Sequence, residues 1–278
     1  EYQNFFNEQI LMKEETARIY IYRQTKNGHA FTGVVAGASN DEYRQDKIKK
    51  HEATLTNREE MFIDYLDIVG YNAEPVLLSY APNASLAQRI SEITAARPEY
   101  EFTTTDRIKH ELWVLSEQET LDIQQLFESI DALYIADGHH RSASSVGLED
   151  RRRRQNREVK SNEAFFLAFI IDEQAMQILE FNRVIHSLNG LSEEQFIEQV
   201  SEYFDVEPCE AKTLPSREHE MTICIKGNWY RLNCKEQIIE KDHPVNSLDA
   251  EILTQYILYP ILKIENLKTD KNIEFIGG

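Results

Sequence analysis

The pattern of hydrophobic and polar positions near the start of the chain is typical of paired β-strands. Residues 17–24 and 30–38 are rich in β-branched, aromatic and small apolar side chains, and Asn27-Gly28 lies between these two runs. Because Asn-Gly is a favoured two-residue hairpin turn, this region predicts a β-hairpin. Residues 101–105 and 111–115 have a similar pattern and predict a second strand pair.

Other segments place apolar residues at helical spacing, and further strand-like runs separate them. The predicted helices cover residues 4–15, 56–65, 85–95, 117–128, 192–204 and 249–262. The further predicted strands are residues 74–80, a hairpin of residues 165–172 with 176–181, and a hairpin of residues 221–225 with 229–232. This mixture of hairpins and helices favours an α+β fold over a doubly wound parallel sheet.

Two segments are expected along the chain. Residues 1–160 form the predicted core, and residues 161–278 form a second α+β segment that opens with a strand-like run after Glu163. The chain starts without a methionine and stops at Gly278 directly after another strand-like run. We therefore expect a piece of a longer protein, with the second segment truncated at its end.

Composition and charge narrow the range of partners. The 278 residues carry a formal net charge of −18, which opposes the phosphate neutralisation that non-specific DNA binding requires. We expect no affinity for duplex DNA, and no membrane partner, because no apolar run reaches the length of a membrane span. Cys209, Cys224 and Cys234 are odd in number and lack metal-site spacing, so they are interpreted as reduced thiols of a cytoplasmic protein.

The most distinctive stretch is a predicted strand followed by a polar turn. The apolar residues 134–136 predict a buried strand that breaks at Asp137-Gly138, and His139-His140-Arg141 then open a helix-compatible sequence. A helix N-terminus gathers unsatisfied N–H groups and the positive end of the helix dipole, and so binds anions such as phosphate. Arg141 adds a guanidinium suited to phosphate, and the histidines can exchange protons near neutral pH. This stretch predicts a phosphate-binding turn that faces a cleft.

A plainer interpretation of the same stretch stays open. Gly138 then serves only the turn, and Asp137 only caps the helix. Adjacent histidines on a helix point in different directions, so one of the pair would be a packed residue.

A second polar cluster precedes the helix predicted at residue 56. Glu52 is flanked there by cationic and hydroxyl side chains and is a candidate general base toward a hydroxyl group. The candidate phosphate contacts in and after this cluster are Lys50, His51, Thr54 and Arg58. We expect Glu52 and the turn at Asp137 to share one cleft. The alternative is a charged surface turn.

Weaker candidates lie elsewhere. A metal site made of His51, Glu52, Asp137 and His139 stays open, although the spacing does not fit the zinc signature of two histidines around a glutamate. His110, Asn182 and Arg183 are candidate substrate contacts, each with an ordinary structural role as its alternative. The basic run 151–154 is interpreted as a solvated loop or helix end.

A series of motifs, in this order, resembles signatures of the bacterial domain-of-unknown-function family 1015, often described as related to the ParB chromosome-partition proteins. The motifs are residues 49–54 (KKHEAT), 110–113 (HELW), 134–141 (YIADGHHR), 182–184 (NRV), 247–249 (SLD) and 275–278 (FIGG). Because they extend over nearly the whole chain, it is identified as a member of this family. Many members carry charged residues where this chain has Leu55, Met61 and Phe62, which argues against a polar helix face beyond Arg58.

The resemblance implies a fold and a chemistry. The Asp137–Arg141 turn resembles the nucleotide-handling loop of the ParB/sulfiredoxin-like fold, a mixed sheet with helices found in partition CTPases, sulfiredoxin and free-serine kinases. By resemblance to the kinases, Glu52 would be the base for a serine hydroxyl and the turn would meet the phosphates. The implied cofactors are Mg²⁺ and ATP or ADP.

Residues and resemblance together predict a nucleotide-dependent phosphotransferase acting on serine or phosphoserine, with Glu52, His139 and His140 as catalytic residues. The expected partners are a nucleotide and a small anionic or amino-acid ligand. The sequence does not set an oligomeric state. Two alternatives stay open: a ParB-like nucleotide-binding module without turnover, and a phosphate-ester hydrolase in which a histidine acts as acid or nucleophile.

Overall fold

The computed structural model describes residues 2–51, 56–177, 180–267 and 269–277. The chain divides into two compact units, Glu1–Gln177 and Ile178–Gly278. Each unit has its own hydrophobic core. Within the described ranges, no helix is both long enough and apolar enough to cross a membrane.

The first unit is a mixed β-sheet with helices. Its strands are β1 (Tyr20–Lys26), β2 (His29–Ser39), β3 (Ile48–Lys49), β4 (Val76–Tyr80), β5 (Tyr100–Thr103), β6 (Lys109–Val114), β7 (Leu133–Asp137) and β8 (Phe165–Asp172). Its α-helices are α1 (Tyr2–Asn7), α2 (Asn40–Arg44), α3 (Thr56–Val69), α4 (Ala84–Thr94), α5 (Glu117–Phe127) and α6 (His139–Arg154). Short 3₁₀ helices cover Ser161–Ala164 and Glu173–Ala175. The strands lie in the order β3-β7-β4-β8-β2-β1-β6-β5.

The hairpin predicted at Asn27-Gly28 is confirmed. Strands β1 and β2 pair antiparallel along their length and end at the pair Lys26↔His29. Asn27 (φ 51°) and Gly28 (φ 82°) both adopt the left-handed conformation that a type I′ turn requires. The second predicted strand pair also forms, as the antiparallel β5 and β6.

One face of this sheet carries the main core. Ile21, Leu78 and Ile170 are buried there together with Leu86 of α4 and Ile123 of α5. Removing these aliphatic side chains from water supplies the principal driving force for assembling the unit.

The opposite face is partly covered by α6 and α3. Leu148 of α6 lines a cleft with Leu167, which alternates along β8 with the core residue Ala168. The two helices pack closely, since a Cβ atom added at Gly147 would lie 2.6 Å from the Ile63 side chain.

Strand β8 changes the expected domain division. It lies inside the first sheet, parallel to β4 and antiparallel to β2. The predicted boundary at residues 160 and 161 therefore cuts through the first unit, which extends to Gln177. Residues 165–172 were also expected to pair with residues 176–181. They pair instead with β2 and β4, two strands distant in sequence, and so form an interior strand that bonds along both edges.

The second unit combines small antiparallel sheets with helices. Its strands are β9 (Phe181–Ile185), β10 (Phe204–Cys209), β11 (Glu220–Ile225), β12 (Asn228–Cys234) and β13 (Ile273–Gly277). Its α-helices are α7 (Glu193–Val200) and α8 (Asp249–Leu253), and a π-helical turn over Thr254–Leu258 continues α8. A 3₁₀ helix covers Glu236–Ile238. Strand β12 pairs with β10 and β11, and β9 pairs with β13.

The predicted α+β class is confirmed, with local differences. The hairpin of residues 221–225 with 229–232 forms as β11 and β12. The helix predicted over 192–204 stops at Val200, because Phe204 begins β10. The helix predicted over 4–15 is confined to α1, Tyr2–Asn7. The likeness to the ParB/sulfiredoxin fold stays a prediction.

Candidate functional site

The Asp-Gly-His-His-Arg stretch forms a strand, a one-residue turn and a helix, as the sequence predicted. Strand β7 ends at Asp137, and α6 begins at His139. Gly138 is the N-cap residue with φ 98°, in the left-handed region where residues with a Cβ are strained. As a glycine, this N-cap residue has no side chain to cap the helix. The first bond of the helical ladder runs from the Ser142 N–H to the Gly138 carbonyl at 3.0 Å, so the three N–H groups before Ser142 precede that ladder.

Strand β7 is less buried than predicted. Ile135 is buried in the main core, whereas Tyr134 is 48% exposed and Ala136 is also exposed. The reason lies in the neighbours of β7, because the adjacent β3 consists of only two residues, Ile48–Lys49, and leaves much of this sheet edge uncovered.

A β-bulge re-aims the end of β7. In the pairing with β4, Ile135 lies opposite Leu78 while Asp137 lies opposite Leu77, so Ala136 is the extra residue. Directly paired residues point to the same face of a sheet, so the bulge turns Asp137 to the Leu77 face, away from the main core.

Arg141 is held beside the turn by two carboxylates and a carbonyl. Its guanidinium lies 2.5 Å from the Asp137 carboxylate and 3.3 Å from the Glu74 carboxylate, and it donates to the Pro75 carbonyl. A Cβ atom at Gly138 would approach this guanidinium to 3.2 Å. Gly138 is therefore favoured twice, by its backbone angle and by the close approach of Arg141.

One residue of the second polar cluster, His51, lies next to this turn. Strands β3 and β7 are parallel, with Ile48 opposite Leu133 and Lys49 opposite Tyr134. The chain leaving β3 therefore emerges at the same end of the strands as the turn after β7. His51 and His139 make an edge-to-face contact with ring centroids 4.4 Å apart. The structure thus brings together two histidines that are far apart in sequence.

Lys50 points toward α2. Its ammonium lies 4.4 Å from the centre of the Tyr43 ring and donates to the Tyr43 carbonyl at 3.2 Å. The Asp46 carboxylate lies 3.8 Å away. Lys50 therefore makes a local cation–π contact rather than a contact with Arg141 or its carboxylates.

Three other predicted residues of this cluster are not placed. Glu52 and Thr54 lie outside the described residues, as does Leu55. Arg58 lies in α3, but its side chain is not among those described. The prediction that Glu52 shares a cleft with the turn therefore stays a prediction.

The two histidines of the turn occupy different environments. His139 is buried, with 6% of its surface exposed. His140 is partly exposed, and within the part of the chain that the structure describes its Nδ1 atom is buried without a hydrogen-bond partner. His139 is therefore the packed residue that was expected for one of two adjacent histidines on a helix.

Two residues near the turn were not singled out from the sequence. Ser142 is fully buried and donates to the carbonyls of Gly138 and His139 at 3.3 and 3.1 Å. Burial and the nearby Glu59 carboxylate raise the pKa of Tyr43, against a hydrogen bond with Ser142 that lowers it. The spacing of Ser142, one helical turn after Gly138, could have indicated it. Tyr43 had no such signal, because it reaches the site from α2.

The weaker candidates belong to other elements. His110 is on β6, with β4, β8, β2 and β1 between its strand and β7. Its Nδ1 lies 2.6 Å from the Tyr22 hydroxyl, and its ring stacks on Phe102 at 4.7 Å. Asn182 and Arg183 belong to the second unit. There the Arg183 guanidinium lies over the ring of Phe181 at 5.5 Å, and burial lowers its pKa.

The basic run at the end of α6 is mostly paired. Arg152 is buried and lies 2.7 Å from Asp67 and 2.5 Å from Glu163. Arg151 lies 2.5 Å from Asp64. The run is a helix end, as expected, but one that ion pairs fix in place rather than a free cationic patch.

Metal ligands and cysteine thiols are the other groups that could carry chemistry. In the described ranges, no group of three or more His, Cys, Asp or Glu residues is arranged to hold a metal ion. Cys209, Cys224 and Cys234 are free thiols. Burial, with a smaller contribution from Asp249, raises the pKa of Cys234 to about 11, which keeps this thiol protonated.

Comparison with known protein families identifies the family of this chain. The family model described as "Protein of unknown function (DUF1015)" matches residues 1–251. No curated protein and no solved structure matches the chain. Since the match covers most of the sequence, the chain belongs to the DUF1015 family.

Proposed function

We propose that the protein transfers a phosphoryl group between a nucleotide and a small hydroxy amino acid, serine or phosphoserine. One observation carries the proposal. The parallel pairing of β3 with β7 brings the segment that leads into Glu52 beside the N-terminus of α6, where the N-cap residue is a glycine and the rings of His51 and His139 are in contact.

The N-terminus of α6 is the group suited to the phosphate. Four other helix starts, those of α2, α4, α5 and α7, are capped by the side chains of Ser39, Asn83, Ser116 and Ser192. On α6 the residue in that place is Gly138, which has no side chain to accept from the first-turn N–H groups. A phosphate oxygen would accept from them and gain from the helix dipole.

The charge at the turn favours a nucleotide that binds together with Mg²⁺. Arg141 is shared between Asp137 and Glu74, so two carboxylates outweigh one guanidinium. This local excess of negative charge would repel a free nucleotide but suits one accompanied by Mg²⁺, which commonly binds through one or two carboxylates and the substrate phosphates. Asp137 and Glu74 are the described residues that would hold the ion, and when bound it would neutralise charge on the phosphates.

The remaining roles follow from the chemistry of the side chains. Glu52, which directly follows His51 in the sequence, is the proposed base that accepts the proton of the serine hydroxyl. His139 and His140 are proposed to donate hydrogen bonds or protons to the phosphoryl oxygens. The cytoplasm, where nucleotides are available and free thiols persist, is the proposed location.

A matched pair of glutamate variants tests the proposal. Wild-type full-length protein is incubated with Mg²⁺, ATP and serine, and separately with ADP and phosphoserine, while phosphoserine and ATP are quantified. Glu52→Gln should lower the rate by a factor of about 10² or more, the usual contribution of a general base. Glu60→Gln, an exposed residue of α3, should leave it unchanged.

Four results would contradict the proposal as a whole or the role of Glu52 within it. Absence of exchange in both directions with wild-type protein would refute it. Nucleotide binding without turnover would identify the binding module, and release of phosphate from phosphoserine without nucleotide would identify the hydrolase. Full activity of Glu52→Gln would remove Glu52 from the role of base.

A further inference from the structure

A cleft next to the proposed phosphate turn has no role in the chemistry above. It lies in the first unit, has a volume of about 320 Å³, and is lined by Phe31, Leu77, Phe169 and Met176 among other residues. This volume is at the lower end of the range of about 300–1,000 Å³ typical of small-molecule sites.

The cleft adjoins the turn through two direct connections. Leu77, in its wall, is the residue opposite Asp137 in the pairing of β4 with β7. Pro75, also in its wall, accepts a hydrogen bond from the Arg141 guanidinium through its carbonyl. Neighbouring strands lie about 5 Å apart, so the cleft begins one strand away from the start of α6.

The floor of the cleft is an aromatic ring laid across the sheet. A Cβ atom at Gly33 would come within 2.6 Å of the Phe169 ring, so glycine at this position lets the ring lie over β2. The Tyr22 ring meets Phe169 edge to face with centroids 5.8 Å apart. Phe169 therefore packs against Gly33 of β2 and Tyr22 of β1.

The far wall is anchored to the β1–β2 hairpin. His29 contacts the Phe31 ring at 4.4 Å and is hydrogen-bonded through Nε2 to the Ala175 carbonyl at 3.0 Å. Met176 directly follows Ala175, so this bond fixes both Phe31 and Met176 at the rim.

One polar side chain with a defined orientation enters this apolar cleft. The Gln24 amide Nε2 donates to the Tyr22 hydroxyl at 2.9 Å, and that hydroxyl in turn lies 2.6 Å from His110 Nδ1. Because the amide NH₂ is engaged with Tyr22, the Gln24 carbonyl oxygen is the part of the amide suited to accept from a ligand. His110, whose strand is separated from β7 by four others, would thus act as a positioning residue for Gln24.

We propose that this cleft binds the base of a nucleotide, a flat aromatic heterocycle with a hydrogen-bond donor such as the amino group of adenine. The inference rests on the proposed function only in assigning the phosphates to the neighbouring turn. Phe31 and Phe169 supply aromatic faces for stacking, and Gln24 supplies the acceptor.

Calorimetric titrations with three probes separate the two parts of the ligand. ATP with Mg²⁺ addresses cleft and turn, adenosine addresses the cleft alone, and tripolyphosphate with Mg²⁺ addresses the turn alone. Phe31→Ala and Met176→Ala should each weaken binding of ATP and adenosine, by roughly tenfold for the stacking residue, and leave tripolyphosphate affinity unchanged. Tyr100→Ala, an exposed aromatic on the edge strand β5, is the control and should change nothing.

The outcomes distinguish the cleft from the turn. If both cleft variants fold and bind ATP like the wild type, or if ATP binds no better than tripolyphosphate, the cleft is not the base site, although the phosphate turn survives. If adenosine binds in a Phe31-dependent way while tripolyphosphate does not bind, the cleft assignment stands and the phosphate role of the turn fails. If none of the probes binds, both are wrong.

Discussion

The two ends of helix α6 differ in how their polar groups are satisfied. At the C-terminal end, Arg152 and Glu149 are buried, and each is held by more than one partner of complementary charge or polarity. At the N-terminal end, Gly138 offers no capping side chain, and the nearest guanidinium is shared between exposed carboxylates. A buried network of ion pairs fixes the helix in the unit, whereas a first turn that begins at a glycine has no N-cap side chain to compete with a ligand for its N–H groups.

Removing a cation from the ion-paired C-terminal end of α6 should have the largest effect on stability. Arg152→Ala leaves Asp67 and Glu163 without this partner, and Glu163 is itself largely buried, so we expect a loss of about 3–5 kcal/mol in the free energy of unfolding. Arg154→Ala, two residues later on the exposed side of the same helix, should change it by less than about 0.5 kcal/mol. Urea unfolding of both variants measures the difference, and equal effects would contradict the division between the two ends.

Removing a cation from the N-terminal end of α6 should instead affect ligand binding. Arg141→Ala takes away the guanidinium and leaves Asp137 and Glu74 unopposed, so Mg²⁺-ATP affinity should fall by about 1.5–3 kcal/mol. Arg97→Ala removes an equal charge from an exposed position away from the turn and should leave the affinity unaltered. If the two variants lower the affinity equally, only net charge matters and Arg141 has no specific role.

Acidification should lower the stability that the ion pairs at the C-terminal end of α6 provide. Hydrogen bonds from Arg157 and Arg152 lower the pKa of Asp67. Burial raises the pKa of Glu149, but hydrogen bonds from Asn40, Arg44 and Arg153 outweigh it and lower the pKa overall. A carboxyl with a depressed pKa in the folded state stabilises the fold above its unfolded pKa, near 4, and loses that contribution as the pH falls through the folded value.

Thermal unfolding from pH 7 to pH 2 tests this pH dependence. The melting temperature of the wild type should fall as the pH drops below about 4, and Asp67→Asn should show a shallower fall over the same range. A pH profile that is identical in Asp67→Asn would show that this carboxylate does not stabilise the fold.

The sequence predicts the features that depend on neighbouring residues better than those that depend on residues far apart in the chain. Features set by neighbouring residues were predicted correctly: the Asn27-Gly28 hairpin, and the glycine turn between β7 and α6. Features set by distant pairing were not. Residues 165–172 were recognised as a strand, but their pairing with β2 and β4 depends on residues far away in the chain.

The candidate site divides in the same way. The turn itself was found from its residue types, while the apolar cleft was not, because Gln24, Phe31, Leu77 and Phe169 come from four different strands. Each of these side chains is an ordinary sheet residue in its own local sequence. Likewise, the pairing of Arg141 with Glu74 depends on the packing of β4 beside β7, which no local pattern encodes.

The most direct test of the central claim is a titration of ¹⁵N-labelled protein with Mg²⁺-ATP, following the backbone amide resonances of α6. If the N-terminus of α6 binds the phosphates, the amides of Gly138, His139, His140 and Arg141 should show saturable shifts, with the resonances of Arg151–Arg154 unmoved. A response confined to the arginine end of the helix, or no response at the glycine end at saturating nucleotide, would contradict it.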